Sequence, residues 1–303
     1  MISLAMPTYN GGKYLREQLD SIYAQTMLPD EVIVVDDCSS DDTIDILEEY
    51  YVKYGLKYYI NEQNLGYNKN FEKAITLCSG DYIVLADQDD IWLPSKIEKC
   101  YNILKNSDIN IPSLVSCFSS TNEEILYLNQ PKSKGIIGSW KHNLSKYTSQ
   151  GCTLMFNKKL LEFIIPIPSG IMYDAYIGFI ASLLGNRFYL GDKLMYYRIH
   201  GNNSFAMNGL STKEKIRKNL LRTIPCWFTL DRYRTLSIIK DKYKTLIPED
   251  KIDYLDRILE LYEVNNFRKL LLFNKIPEIP MWQKVKTSAI LLVKIIFNIE
   301  NKY

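Results

Sequence analysis

Short apolar runs alternate with amphipathic helical patterns over the first hundred residues, and this feature constrains the fold more than any other. The runs MISLAMP, EVIVV, KYYI and DYIVL have the composition of buried strands, and the first three precede apolar residues at helical spacing. Strands that alternate with helices form a largely parallel sheet with helices on its faces. The sequence therefore predicts an α/β fold with a Rossmann-like, mostly parallel sheet.

The last third of the chain has a different character. Helical spacing continues to the end and is interrupted by prolines, and the formal charge changes from −6 over residues 1–204 to +8 over residues 205–303. A chain of 303 residues with 47% hydrophobic residues is long enough for one large domain or two smaller ones. We expect a catalytic domain over residues 1–208 and a helical C-terminal region over residues 209–303.

The cysteines and the N-terminus indicate a cytoplasmic protein. The six cysteines show no CxxC pair and no short secreted framework, so reduced thiols are expected. Residues 1–6 run directly into Pro-Thr-Tyr-Asn-Gly-Gly and lack the features of a signal peptide. We expect the protein in the cytoplasm, with the inner face of the cell membrane as a further location.

A basic, apolar segment near the C-terminus leaves three alternatives open. The apolar run over residues 289–297 is far shorter than the roughly 20 residues that span a bilayer. The lysines around it suit a helix in the membrane interface over residues 282–298, as a peripheral contact. The same helix would also suit packing on its neighbours or on a second subunit of a homodimer. Nucleic acid is not expected as a partner, because no recognised binding module is present and the first 204 residues are acidic.

Polar residues follow three of the predicted strands, at residues 8–10, 36–37 and 87–90. Ligands of such sheets bind beyond the carboxyl ends of the strands, so these residues should converge on one crevice. Crowded carboxylates repel one another unless a proton or cation lies among them, and their oxygens suit Mg²⁺ or Mn²⁺. The pattern favours a metal-assisted site for a phosphorylated ligand.

These aspartates have two other interpretations, as structural residues and as part of a receiver domain. Each pair could serve as turn formers or helix caps, which is common for aspartate at strand ends. Paired aspartates after one strand and another after a later strand also occur in signalling receiver domains. A receiver begins with the acidic pair, however, whereas here a complete strand, turn and helix with PTYNGG comes first.

Five segments in a specific order carry a resemblance to a known family. MPTYNGGKYLREQLDSIYAQT, EVIVVDDCSSDDT, NLGYNKNFEKAI, GDYIVLADQDDIW and GCTLMFNKKLL together resemble the inverting family 2 glycosyltransferases, whose catalytic domain has the glycosyltransferase-A fold. The resemblance covers residues 1 to about 205. The later segments LGDKLMY and YRIHGNNSFA are similar to the bacterial rhamnosyltransferase branch.

The resemblance implies a role for each residue that matches a motif. Those expected at the nucleotide sugar are Pro7, Thr8, Tyr9, Asn10, Asp37, Gly66, Asn68, Asp87, Gln88, Asp89 and Arg198. Asp37 would accept a hydrogen bond from the base. Those expected at a divalent cation, Mn²⁺ or Mg²⁺, are Asp89, Asp87 and His200, and those expected at the acceptor are Asp90, Trp92 and Tyr173.

Asp174, the catalytic residue that the resemblance implies, and two of the residues named above each have a second interpretation. Asp174, at the start of an apolar helical pattern, is the catalytic base by resemblance and a helix N-cap by local sequence. His200 is a metal or diphosphate ligand, or an ordinary loop histidine. Arg198 contacts the diphosphate or pairs with a core acid. Tyr173 and Ala175 depart from the histidine and tryptophan that many relatives carry around this aspartate, which concerns the acceptor pocket.

The resemblance implies a metal-dependent inverting hexosyltransferase that uses a dTDP- or UDP-sugar, with rhamnose among the candidate sugars. The acceptor would be a surface glycan or a lipid-linked precursor. One alternative is a nucleotidyltransferase, which normally has a Gly-rich, Arg-containing loop after its first strand that PTYNGGKYL lacks. Another is a non-catalytic nucleotide-binding protein, which would tolerate the loss of Asp174.

Overall fold

A computed structural model of the protein describes residues 1–121, 144, 150–198, 200 and 230–263. The chain divides into two compact units, residues 1–140 with 148–203, and residues 141–147 with 204–303. Residues 141–147, which the sequence assigned to the catalytic domain, cluster with the second unit. The roles predicted for the two regions stay predictions.

The first unit is built on one eight-stranded sheet with the strand order β3-β2-β1-β4-β7-β6-β8-β5. In chain order the strands are β1 (Ile2–Thr8), β2 (Glu31–Asp36), β3 (Lys57–Ile60), β4 (Tyr82–Leu85), β5 (Ile91–Trp92), β6 (Ser113–Thr121), β7 (Leu154–Asn157) and β8 (Asn186–Tyr197). The pairs β1–β2, β1–β4, β2–β3 and β6–β8 are parallel, while β7 is antiparallel to β4 and β6, and β5 to β8. The predicted mostly parallel sheet is confirmed, although only β1 to β4 of its eight strands were among those predicted.

Helices cover this sheet because each turns an apolar stripe toward it. They are α1 (Gly12–Tyr23), α2 (Thr43–Tyr54), α3 (Tyr67–Leu77), α4 (Lys96–Leu104), α5 (Leu161–Ile164) and α6 (Tyr173–Leu184). In α1 the residues Leu15, Leu19 and Ile22 recur at helical spacing and are fully buried. Helix α2 ends at Gly55, whose φ of 73° is the left-handed conformation that glycine adopts without a steric penalty.

Strand pairing brings the polar turns to one edge of the sheet. Thr8 at the end of β1 lies opposite Asp36 at the end of β2, and Ala5 lies opposite Leu85 at the end of β4. The turns that follow these strands therefore emerge side by side, as parallel strands with shared carboxyl ends require.

The described part of the second unit consists of two helices, α7 (Leu230–Tyr243) and α8 (Glu249–Glu263), in agreement with the helical pattern of the sequence. Within residues 1–121, 150–198 and 230–263, no helix combines the length and apolar character needed to cross a bilayer. The segment 282–298, with its three alternatives, lies outside the described residues.

Candidate active site

Gln88 ties the turn after β4 to the turn after β1. Its side chain accepts a hydrogen bond from the Tyr9 amide at 2.9 Å and donates one to the Tyr9 carbonyl at 3.0 Å. Gly11 makes this approach possible, because a Cβ at that position would lie 2.2 Å from Gln88 Oε1. The glutamine predicted to contact the donor thus also holds the two turns together.

The turn after β1 is joined to the turn after β2 as well. The Thr8 hydroxyl donates to Asp36 at 2.8 Å, and the Asn10 side chain accepts from the Ser40 amide at 2.8 Å. Asn10 has a φ of 46°, a left-handed conformation that asparagine tolerates better than most residues. Of the four residues predicted at the base, Tyr9 and Asn10 are exposed, whereas Pro7 is half-buried and Thr8 is buried.

Asp37 lies beneath the loop that precedes α3. Its carboxylate accepts hydrogen bonds from the Asn61 side chain at 2.8 Å, the Leu65 amide at 2.8 Å and the Gly66 amide at 2.9 Å. The residue is only 2% exposed. In this structure Asp37 therefore anchors the loop that ends at Gly66, and its predicted contact with a base stays a prediction.

The acidic turn after β4, formed by Asp87, Asp89 and Asp90, is the most highly charged part of the site. Ligand atoms of Asp87, Asp90 and Cys152 all lie within 4.8 Å of one another. Burial and the neighbouring Asp90 and Asp89 carboxylates raise the pKa of Asp87 well above its usual value. Burial, and then the charge of Asp89, raise the pKa of Asp90 to about 7. Besides burial, the raised pKa values reflect the repulsion between these carboxylates, which protonation of Asp87 or Asp90 would reduce.

Asp89 and His200 converge from distant parts of the sequence. The His200 Nε2 lies 2.8 Å from Asp89 Oδ2, and its ring packs on Tyr14 of α1 with centroids 4.6 Å apart. Both side chains are largely buried, with 15% and 13% of their surfaces exposed. The structure thus brings together the histidine and the aspartate predicted at a cation, while their role as ligands stays a prediction.

Arg198 borders the acidic turn. Its backbone amide donates to Asp90 Oδ1 at 3.1 Å and its Nε donates to the Asp89 carbonyl at 3.0 Å. Its guanidinium forms an ion pair with Glu17 of α1. The predicted pairing with an acid is present, but Glu17 is on the exposed face of α1 and not in the core.

Lys96, a charged residue buried beside the acidic turn, was not singled out from the sequence. Its ammonium donates to the Cys152 carbonyl at 2.6 Å and lies 3.3 Å from the centre of the Trp92 ring. The side chain is fully buried, and burial lowers its pKa. Cys152 was also missed, because neither a lone lysine nor a lone cysteine carries a sequence signal for such a contact.

Asp174 lies at the second position of α6 and is 8% exposed. Its Oδ1 accepts from the Ala175 amide at 2.8 Å, and the N-cap position is occupied by Met172, so the N-cap interpretation is wrong. The negative charge of Asp174 is near enough to Asp87 to raise the pKa of Asp87 further. The predicted base therefore stands beside the acidic turn.

The three residues predicted at the acceptor are all buried, and their contact with an acceptor stays a prediction. Asp90 is 0% exposed, Trp92 is 3% exposed and Tyr173 is 6% exposed. The Tyr173 ring stacks on Phe71 with centroids 4.1 Å apart.

The carboxylate oxygens of the acidic turn are suitable ligands for a hard divalent cation. Asp90 Oδ2 is buried and forms no geometrically sound hydrogen bond among the described residues, although the Cys152 thiol and the charge of the buried Lys96 act to lower the pKa of Asp90. Carboxylate oxygens suit Mg²⁺ or Mn²⁺, whereas the thiol of Cys152 is a soft ligand that these ions do not favour. Asp87 and Asp89 therefore fit the predicted cation, and Cys152 does not.

Comparison with solved structures shows the class of fold. TarS of S. aureus, in a structure titled as a complex with UDP-GlcNAc, is similar with a TM-score of 0.65 and 21% identity, covering 95% of this chain and 79% of that one. The mannosyltransferase PcManGT of Pyrobaculum calidifontis, titled as a complex with GDP-Man and Mn²⁺, has a TM-score of 0.57 and 15% identity, covering 99% and 88%. The protein has the glycosyltransferase-A fold, as predicted.

Comparison of sequences then gives the family. The model of Glycosyl transferase family 2 matches residues 3–164, and the protein belongs to this family of glycosyltransferases. The dTDP-rhamnosyl transferase RfbG of Shigella flexneri is 29% identical over 233 residues, which are 70% of this chain and 77% of RfbG. The chondroitin synthase of Escherichia coli is 33% identical over 125 residues, 41% of this chain but only 18% of that much longer protein.

Proposed function

We propose that the protein transfers a sugar from a nucleoside diphosphate sugar to an acceptor hydroxyl with inversion at the anomeric carbon. The observation that carries the proposal is the convergence of Asp87 and Asp90, and of Asp89 and His200, in the turn after β4, with Asp174 at the start of α6 near enough to raise the pKa of Asp87. A single displacement needs a base on the side of the sugar opposite the leaving diphosphate. Asp174 supplies the base, and the acidic turn marks the side of the diphosphate.

The reaction requires one proton transfer and one exchange of bonds. Asp174 accepts the proton of the acceptor hydroxyl while the hydroxyl oxygen forms a bond to the anomeric carbon. The bond from that carbon to the diphosphate oxygen breaks, and its electron pair leaves with the nucleoside diphosphate. Because Asp174 is held at the start of a buried helix, its carboxylate keeps one orientation during this step.

A divalent cation, Mn²⁺ or Mg²⁺, would be held by Asp87 and Asp89, with His200 as a further ligand. When bound, the cation neutralises charge on the leaving diphosphate. The short distance between His200 and Asp89 supports this assignment. The Mn²⁺ in the structure of PcManGT also supports it.

The donor is a nucleoside diphosphate sugar whose base contacts the exposed Tyr9 and Asn10. RfbG is named a dTDP-rhamnosyl transferase and TarS was solved with UDP-GlcNAc, so dTDP-rhamnose and UDP-GlcNAc are the first donors to test. The acceptor is a surface glycan or lipid-linked precursor, which follows the resemblance of the motifs to the rhamnosyltransferase branch. The family match favours glycosyl transfer over nucleotidyl transfer or a non-catalytic role.

The test compares wild-type protein with Asp174→Asn on a panel of nucleotide sugars containing Mn²⁺. We expect wild-type protein to release the nucleoside diphosphate from at least one donor. Asp174→Asn should lower this rate by about 10²- to 10⁴-fold, the usual contribution of a general base, with little change in Tm. Asp192→Asn is the matched control, since Asp192 is exposed and pairs with Lys99. Full activity of Asp174→Asn, or inactivity of the wild type on every donor, would contradict the proposal.

A further inference from the structure

Asn68, in the first turn of α3, holds the backbone that leads into α6. Its side-chain amide donates to the Ile171 carbonyl at 2.7 Å, and its side-chain oxygen accepts from the Tyr173 amide at 3.2 Å. Both groups of the side chain are thus used on a segment more than 100 residues away in sequence. The segment ends one residue before Asp174.

One of these two hydrogen bonds satisfies the first amide of α6, that of Tyr173, while Asp174 itself accepts from the Ala175 amide. The first amides of a helix have no partner within the helix and are usually satisfied by an N-cap side chain. The N-cap of α6 is Met172, which offers no side-chain hydrogen bond, and Tyr173 is the first residue of the helix. Asn68 therefore acts as the capping group of α6 from a different helix, and it fixes the turn that carries Asp174.

Other side chains of α3 contact the same segment. Glu72 accepts from the Ile167 amide at 2.7 Å, Lys69 donates to the Ile167 carbonyl at 3.2 Å, and Phe71 stacks on Tyr173. Glu72 and Lys69 hold the beginning of the segment, and only Asn68 among them bonds the peptide groups next to Asp174. This separates the role of Asn68 from general support of the loop.

Helix α3 is itself anchored on the donor side of the site. Gly66, the N-cap of α3, and Leu65 before it donate their amides to the buried Asp37. A continuous series of hydrogen bonds therefore leads from Asp37, through the start of α3 and Asn68, to the start of α6.

We propose that Asn68 is a positioning residue that sets the place of Asp174, and not a ligand of the donor. The inference rests on the proposed function, because it requires Asp174 to be the base. A small displacement of a reacting group lowers turnover far more than it lowers substrate affinity. The loss of Asn68 should therefore appear in kcat and leave the KM for the donor nearly unchanged.

The experiment measures release of nucleoside diphosphate from the donor found in the panel, with Asn68→Ala, Asp174→Asn and the double variant. We expect Asn68→Ala to lower kcat by about 10- to 100-fold with a donor KM within about 3-fold of wild type. In the Asp174→Asn background the same change should cost less than about 3-fold, because the residue acts through the base that is already absent. Asn68→Asp keeps the acceptor for the Tyr173 amide and should lose an intermediate amount.

Matched controls keep the result interpretable. Asn106→Ala removes an exposed asparagine that bonds a backbone carbonyl at the end of α4, and it should leave the kinetics unchanged. Thermal unfolding identifies a variant that fails to fold, and Asn68→Asp then serves in place of Asn68→Ala. A raised donor KM with normal kcat, or an equal loss in the double variant, would overturn the inference and leave the proposed function standing. An active Asp174→Asn would instead remove the proposed function, and the inference with it.

Discussion

His200 and Asp89 lie 111 positions apart in the sequence, and their side chains approach within 2.8 Å. The contact joins the segment that follows β8 to the acidic turn that follows β4. The meeting brings together one imidazole and one carboxylate, the two groups that the proposed function assigns to a divalent cation.

We expect activity to depend on an added divalent cation and to be lost with a chelator. Asp89→Asn should raise the Mn²⁺ concentration for half-maximal activity by about 100-fold, because it removes a carboxylate ligand. His200→Gln should raise it by about 10-fold, because it removes only a ring nitrogen. Titration of Mn²⁺ in the assay of nucleoside diphosphate release measures both. Asp192→Asn serves again as the control, and an unchanged titration curve for Asp89→Asn would contradict the assignment.

Gly11 should resist substitution because of Gln88. The φ of Gly11 is −98°, which alanine adopts readily, so the only obstacle is the 2.2 Å approach of Gln88 Oε1 to the added Cβ. We expect Gly11→Ala to cost about 1 to 3 kcal/mol in the free energy of unfolding, as overpacking does. In a Gln88→Ala background this cost should largely disappear, and urea unfolding of the four proteins tests it. An equal cost in both backgrounds would show that Gln88 is not the cause.

Asp37→Asn should loosen the loop before α3. An asparagine keeps one acceptor oxygen for the Leu65 or Gly66 amide and presents an amino group to the other, which removes a charge-assisted hydrogen bond of about 1.5 to 3 kcal/mol. Faster amide hydrogen exchange at residues 65–66 is the expected result. Asp45→Asn, an exposed change in the first turn of α2, is the control. Unaltered exchange at these two amides would contradict the anchoring role.

Glu31 should make the stability depend on pH. Burial opposes its charge, but hydrogen bonds from Ser3 and Ser79 and the nearby Lys57 together lower its pKa from 4.5 to about 2. Because the folded pKa lies below the unfolded one, this stabilisation is present above about pH 4.5 and is lost as the pH falls toward 2. The Glu31 side chain is 8% exposed but its partner Lys57 is 56% exposed, so solvent screens part of the interaction and the shift corresponds to about 1 to 2 kcal/mol.

Glu31→Gln should therefore be destabilising at pH 7, with a difference from wild type that shrinks by pH 3. Urea unfolding at both pH values measures this, with the exposed Glu62→Gln as the matched control. A difference that stays constant between the two pH values would show that the charge of Glu31 is not responsible.

Burial was the property that the sequence predicted least well. Trp92, Tyr173 and Asp90 were assigned to the acceptor because they stand in motifs of the family, with no prediction of how deeply they are buried. In the structure each is covered by a group from another element, such as Lys96 against Trp92 and Phe71 against Tyr173. A motif identifies which residues lie near a site, but their exposure depends on what packs across from them.

The sequence by itself determined the order and type of the elements as far as β4, the family and the polar residues at the strand ends. These properties depend on local periodicity and on residue types that are close together along the chain. Only the tertiary structure decided that Asp174 lies near enough to Asp87 to raise its pKa, that His200 meets Asp89 and that Asn68 bonds the first amide of the helix of Asp174. Each of these contacts joins residues that are far apart in the chain, and the order of the strands in the sheet determines which of them become neighbours.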